Sequence, residues 1–312
     1  MYTRRPLFFA VIVVLLLCTA VFAVTAGSYD LSVRKVIEVI AVKLGLSDAE
    51  LLKRHVNIVW EIRIPRIILA ICAGISLSAA GTVYQGCFRN PLVEPYILGV
   101  SSGAAFGAAL GIVFPHIFLS MQTGAFIFAL LAVALAWFAA TTRGNTPAVA
   151  LVLAGVIIGS IFSALVAIMK YISDDSQLRE ITFWMMGGFY NATWADVRLN
   201  LPVACIGLLL VFVFSWRLNI LSLGDEQAKS LGISPQRHKL AFILVATLMA
   251  SVCVSTVGII AWVGLMMHHA ARLLFGPENR WVLPASARRG AVDMGICDTV
   301  ARTLTPAEIP IG

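Results

Sequence analysis

The sequence predicts an all-α, polytopic membrane protein. Sixty per cent of its residues are hydrophobic and 12% are charged, whereas a soluble domain carries roughly 25% charged residues. Apolar runs recur at about the ~20 residues that cross a bilayer core. No segment between them is long enough to hold a soluble domain, so the 312 residues read as one transmembrane domain, although length alone would suggest two.

Residues 7–27 (LFFAVIVVLLLCTAVFAVTAG) form the first crossing. Arg4 and Arg5 precede it and AVTAG resembles a cleavage site. The apolar stretch nevertheless exceeds the ~7–15 residues of a signal-peptide core, so it reads as a retained helix with a cytoplasmic N-terminus. Further crossings are 66–88, 95–114, 118–141, 147–171, 200–216 and 240–260; the shorter run 263–275 suits an eighth helix, broken or partly re-entrant.

Within 95–114, Gly99, Gly103, Gly107 and Gly111 lie four apart. Glycine costs an exposed helix about 1 kcal/mol relative to alanine, but in lipid small residues let helix backbones approach closely. The four glycines therefore read as a helix-packing face, with a bare-backbone pore lining as the alternative. Gly74, Ser78, Thr82 and Gly86 repeat the spacing, as do Gly155, Gly159 and Ser163. The six cysteines (Cys18, Cys72, Cys87, Cys205, Cys253 and Cys297) contain no C-x-x-C and mostly sit in apolar runs, where they act as small hydrophobes.

The net charge of +7 fits basic membrane loops, and nothing points to nucleic acid. An alternating trace from a cytoplasmic N-terminus puts Arg89, Arg143, the 217–239 loop and Arg272 to Arg280 inside. It puts 28–63 outside with Arg34, Lys35, Lys43, Lys53 and Arg54, so the positive-inside rule supports the orientation only weakly.

The polar segment 217–239 predicts two short helices forming a surface knob. Ser222 and Asp225 have capping-box spacing, Leu223, Ala228 and Leu231 share a buried side, and Gly232 is a stop. Ser234 and Pro235 then open the second helix. An ordinary amphipathic interfacial loop is the alternative. In RNPLVEP (89–95), Pro91 and Pro95 forbid a continuous helix, and Glu94 suits a helix N-terminus. His268 and His269 are adjacent, pointing about 100° apart on a helix, and do not read as a metal site.

Residues 63–111 (RIPRIILAICAGISLSAAGTVYQGCFRNPLVEPYILGVSSGAAFGAALG) resemble the permease subunit of FecCD-type ABC importers of ferric siderophores, haem, cobalamin or related metal complexes. The resemblance continues in LVLAGVIIG (151–159), FWMMGGF (183–189), LGDEQAKSLGI (223–233), WVGLMMHHAARL (262–273) and DTVARTLTPAEIPIG (298–312). It implies a ten-helix permease, homodimeric around a translocation path in a bacterial or archaeal cytoplasmic membrane. Here about eight clear spans precede an atypical ninth, with no tenth. Two ATP-binding cassette subunits would dock on 222–235, with Gly224, Asp225, Glu226, Ala228, Leu231 and Gly232 as the coupling residues. A periplasmic or surface substrate-binding protein would deliver substrate, meeting Arg63, Arg66 and Arg302 through carboxylate pairs; snorkelling to lipid headgroups is the alternative for Arg63 and Arg66. Asn90, Pro91 and Leu92 would contribute a cytoplasmic gate.

The resemblance implies a transport subunit rather than an enzyme, with no cofactor expected in this chain. The chain has no G-x-x-x-x-G-K-[ST] phosphate loop, so ATP and Mg would bind the partner ATPase. His268 stands where the family usually has proline. PASARRGAVDMGICDTVAR (284–302) carries Arg288, Arg289, Asp293, Asp298 and Arg302, each costing about 2.5–3.5 kcal/mol at a helix centre. Either 284–312 is buried against partner helices, or this region is truncated and altered. The competing class is an ion-gradient-driven secondary transporter, which usually places carboxylates within spans; the first eight runs have none beyond Glu94 at a boundary.

Overall fold

Fourteen α-helices build the described part of the chain. The structure, a computed structural model, describes residues 5–27, 29, 31–47, 52–117, 119–142, 145–305 and 308–312. Arg4 and Arg143, used above to orient the chain, lie outside the described residues.

In chain order the helices are α1 (Arg5–Thr25), α2 (Val33–Lys43), α3 (Lys53–Val56), α4 (Ile64–Phe88), α5 (Val100–Val113), α6 (Met121–Ala140) and α7 (Ala148–Ile172). Then follow α8 (Asp175–Met186), α9 (Trp194–Val213), α10 (Ser215–Leu223), α11 (Asp225–Ser230), α12 (Pro235–Val257), α13 (Val263–Phe275) and α14 (Asn279–Leu304). Among the described residues six stretches are long and apolar enough to cross a membrane: Phe8–Thr25, Lys53–Phe88, Met121–Ala140, Ala148–Ile172, Trp194–Val213 and Pro235–Val257.

Four expected boundaries move. A π-helix over Asn57–Arg63 joins α3 to α4, so the second crossing starts inside what read as a loop. The run 95–114 is not one helix: Pro95–Leu98 form a 3-10 turn, and Gly99, at φ +82°, redirects the chain into α5. The run 200–216 begins earlier, at Trp194, because Thr193 and Asp196 form a capping box. The charged segment 284–302 lies within a single 26-residue helix, α14. Its small residues face α4, where Gly74 and Gly290 bring the two backbones together. Most of α14 is buried, packed against α1, α4 and α13.

Helix α4 is the axis of the bundle. Nearly all of its residues are buried, and α9, α12, α13 and α14 pack around it. The Tyr84 hydroxyl meets Thr247 Oγ1 of α12 at 2.7 Å, so its one polar atom is satisfied inside the core. Three non-helical stretches meet within the bundle: Gly188 N donates to Val257 O at 2.8 Å, and Ile311 N to Gly187 O at 3.1 Å. Irregular backbone is tolerated in a membrane protein where protein buries it or it lines a cavity, and these bonds supply partners for it.

Candidate functional site

The two ends of α4, about 37 Å apart at 1.5 Å per residue, carry the candidate residues. At its C-terminal end, α10 packs against Gly86 through Leu218 and Ser222. Gly224, at φ +130°, ends α10 beside Arg89 and starts α11. Helix α11 closes in a Schellman turn, with Ile233 N donating to Ala228 O at 2.9 Å and Gly232 N to Lys229 O at 3.0 Å. That pattern needs a left-handed residue, supplied by Gly232 at φ +76°. The buried Lys239 ammonium pairs with Asp225 at 2.6 Å, strapping α11 to α12.

The knob differs from expectation in three respects. Ser222 does not cap Asp225; it lies within α10 and its hydroxyl donates to Leu218 O at 2.9 Å. Asp225 is instead claimed by Lys239. The second short helix is absent, because Ser234 and Pro235 open the long α12 without a side-chain cap. Ala228 is fully buried, but Leu223 and Leu231 are 62% and 56% exposed. A six-residue helix buries one narrow stripe, and Ala228 occupies it.

Beside this turn, Arg89 adopts φ +54° and ends α4. Asn90 Oδ1 accepts from Leu92 N at 2.9 Å, a local turn that leaves Asn90, Pro91 and Leu92 exposed. Glu94 occupies a helix N-cap position, but its carboxylate makes no capping bond, which corrects the expected cap.

At the other end of α4 the structure brings Arg63, Arg66 and Arg302 together, but turned inward. Arg63 donates to Val24 O at 2.7 Å, Thr25 O at 3.0 Å and Tyr29 O at 2.5 Å. Arg302 donates to Ala26 O at 2.9 Å and also to Ala23 O. The two guanidiniums thus satisfy the orphan carbonyls at the C-terminus of α1 and oppose its negative pole. Arg66 pairs with Asp298 at 2.7 Å and Glu308 at 2.9 Å, and Arg302 with Asp298 at 3.6 Å. All three arginines are buried. Their bonds run to atoms of the same chain, where contacts to a binding protein were expected. The sequence reading missed Asp298 and Glu308 as partners; the one available signal was a carboxylate inside the charged helix and another just after it.

The glycine face divides between two neighbours. Gly103, Gly107 and Gly111 lie against α6 at Phe128, Gly124 and Met121, and Gly99 lies beside Gly155 and Gly159 of α7. His268 is buried and its Nδ1 lies 3.1 Å from Thr82 Oγ1. The Thr82 hydroxyl already donates to Ser78 O at 3.0 Å, so the imidazole donates to it and ties α13 to α4.

A family model, the FecCD transport family, matches residues 13–312. The molybdate import system permease protein MolB of Haemophilus influenzae is 36% identical over 300 residues, covering 95% of this chain and 88% of that protein. The hemin transport system permease protein HmuU of Yersinia pestis is 39% identical over 266 residues, covering 81% of this chain and 78% of that one. A solved inward-facing conformation of a metal-chelate type ABC transporter has a TM-score of 0.85 at 34% identity, covering 98% of this chain and 93% of that one.

Proposed function

The chain belongs to the FecCD transport family, an integral membrane permease of the ABC type, and from that premise we propose that it is the permease subunit of a binding-protein-dependent importer for a metal complex or a related oxyanion. Two copies enclose the path, and two ATP-binding cassette subunits dock at the α11 end. A substrate-binding protein delivers at the opposite end. ATP and Mg bind the separate ATPase chain, whose hydrolysis drives alternating access inward. Relatives named for hemin and molybdate support this substrate class.

The observation that carries the reading is the α11 turn. A helix of six residues does not hold itself together in water, yet this one is fixed by the Lys239–Asp225 pair and the Schellman turn. Leu223, at the end of α10, and Leu231, just after α11, flank it in an exposed state, and Glu226 and Lys229 on the helix itself are exposed as well. Exposed apolar side chains rimmed by charge, on a rigid support, suit a protein partner. Asn90 and Leu92, exposed alongside, contribute the inner gate across the dimer axis.

The test is uptake into vesicles holding the complete complex. Accumulation is expected to follow internal ATP and to survive collapse of the proton gradient. Gradient-driven uptake without an ATPase would replace this reading with an ion-coupled secondary transporter.

A further inference from the structure

Two charged residues of α14 have no part in the arrangements above. Arg288 and Arg289 sit mid-helix on a segment packed against α1, and both are half-buried. Neither has a hydrogen bond or a carboxylate within 4.0 Å among the described residues. Arg288 places its guanidinium 4.8 Å from the Phe9 ring centroid. Arg289 lines a cavity of about 340 Å³ between α1 and α14, whose walls include Val11, Leu15, Val292 and Ile296.

The position of the pair along the membrane normal follows from its neighbours. Phe8 and Phe9 open the first crossing and pack with Phe275 and Trp281. Of these rings Trp281, at the start of α14, is of the type that sits at a membrane–water interface, and arginines farther along the helix snorkel toward it. Ionised groups at this depth take a counter-charge. Asp293, one turn along α14, lines the same cavity and offsets one of the two positive charges. One remains, which a single phosphodiester neutralises.

We propose that the groove between α1 and α14 binds an anionic phospholipid. Its acyl chain lies in the apolar cavity and its phosphate on Arg289 and Arg288. Basic pockets between transmembrane helices recognise anionic headgroups by this chemistry. The proposal also accounts for an arginine pair where an apolar helix was expected: a lipid co-solvates it.

Native mass spectrometry of the detergent-solubilised chain tests this, after exposure to phosphatidylglycerol or phosphatidylcholine vesicles. The unaltered chain is expected to retain phosphatidylglycerol in preference to phosphatidylcholine. The double variant Arg288→Leu, Arg289→Leu should retain about tenfold less. That change makes α14 more apolar and so favours its insertion. Val292→Trp, which keeps both charges and fills the cavity, should lose lipid similarly. Arg289→Lys and Arg237→Leu, the latter an exposed cation on another helix, should retain it. Equal retention of the two lipids, or unchanged retention in the double variant, would overturn the proposal. So would displacement of the lipid by inorganic phosphate, which would reduce the site to a free-anion site. An arginine-dependent dimer in place of bound lipid would reassign the groove to a second copy of the chain.

Discussion

The two ends of α4 invert the usual relation between residue type and exposure. At one end three arginines are buried and bond to carbonyls and carboxylates of the same chain. At the other, Leu92, Leu223 and Leu231 stand in the open. A guanidinium goes inside when helix-end carbonyls and a carboxylate await it; these leucines stay outside because each sits in a turn or at a helix end with no neighbouring element over it. The first end holds the bundle closed on itself, and the second remains available for a partner.

Removing Asp298 should produce the largest effect. The carboxylate is 1% exposed and lies between Arg66 and Arg302, and breaking a buried ion pair on one side costs about 3–5 kcal/mol. Asp298→Ala is expected to lower the thermal stability of the solubilised permease by that order, and Asp298→Asn by less. An unchanged melting temperature would mean that Glu308 alone satisfies Arg66, and the closed end would lose its distinction from the open one.

The open end should respond in the opposite manner. Leu231→Glu alters an exposed side chain, so the isolated permease should melt as before while recovery of co-purified ATPase falls about tenfold. Ala228→Asp places a carboxylate in a fully buried position and should reduce both. Wild-type ATPase recovery with Leu231→Glu would remove the docking role from this turn.

A third contrast sets helix seams against both ends. Gly107 meets the Gly124 backbone with no space for a Cβ, and overpacking commonly costs about 1–3 kcal/mol. Gly107→Val should therefore separate α5 from α6 and lower the melting temperature, without selectively affecting ATPase recovery. A variant as stable as the parent would return Gly107 to a site with free volume, as a pore lining requires.

Local chemistry was legible in the sequence and long-range pairing was not. Apolar runs located α1, α4, α6, α7 and α12 because a bilayer demands about 20 such residues. Gly232 and Pro235 marked a helix stop and a helix start for steric reasons that need no neighbours. The Arg66–Asp298 bond, however, joins residues 232 positions apart, and no local pattern records it. Ser222 and Asp225 have the right spacing for a box, but α10 runs through Ser222, and Lys239, on another helix, takes the carboxylate. For both carboxylates the partner is a cation on another helix, which spacing along the chain does not record.

The smallest expected effect concerns the N-terminus of α8, a capped and exposed helix end outside the membrane-spanning segments. Asp174 Oδ1 accepts from Gln177 N at 2.8 Å and Ser176 N at 2.9 Å, and Gln177 Oε1 accepts from Asp174 N at 3.2 Å. The Gln177 amide, followed by the Ser176 hydroxyl, holds the Asp174 carboxyl below the ordinary carboxylate range. A carboxyl with a lowered folded-state pKa stabilises above its unfolded value, near 3.9, and loses that contribution as pH falls through the folded value. Amide exchange at Ser176 and Gln177, corrected for intrinsic rates, should therefore accelerate as pH drops below about 4. Asp174→Asn keeps an acceptor but does not titrate, so its protection should be flat across the same range. Asp174→Ala should show fast exchange at every pH, confined to the first turn of α8, with the melting temperature of the bundle unmoved. Exchange in Asp174→Ala as slow as in the parent would show that neighbouring backbone, and not the carboxylate, protects this helix end.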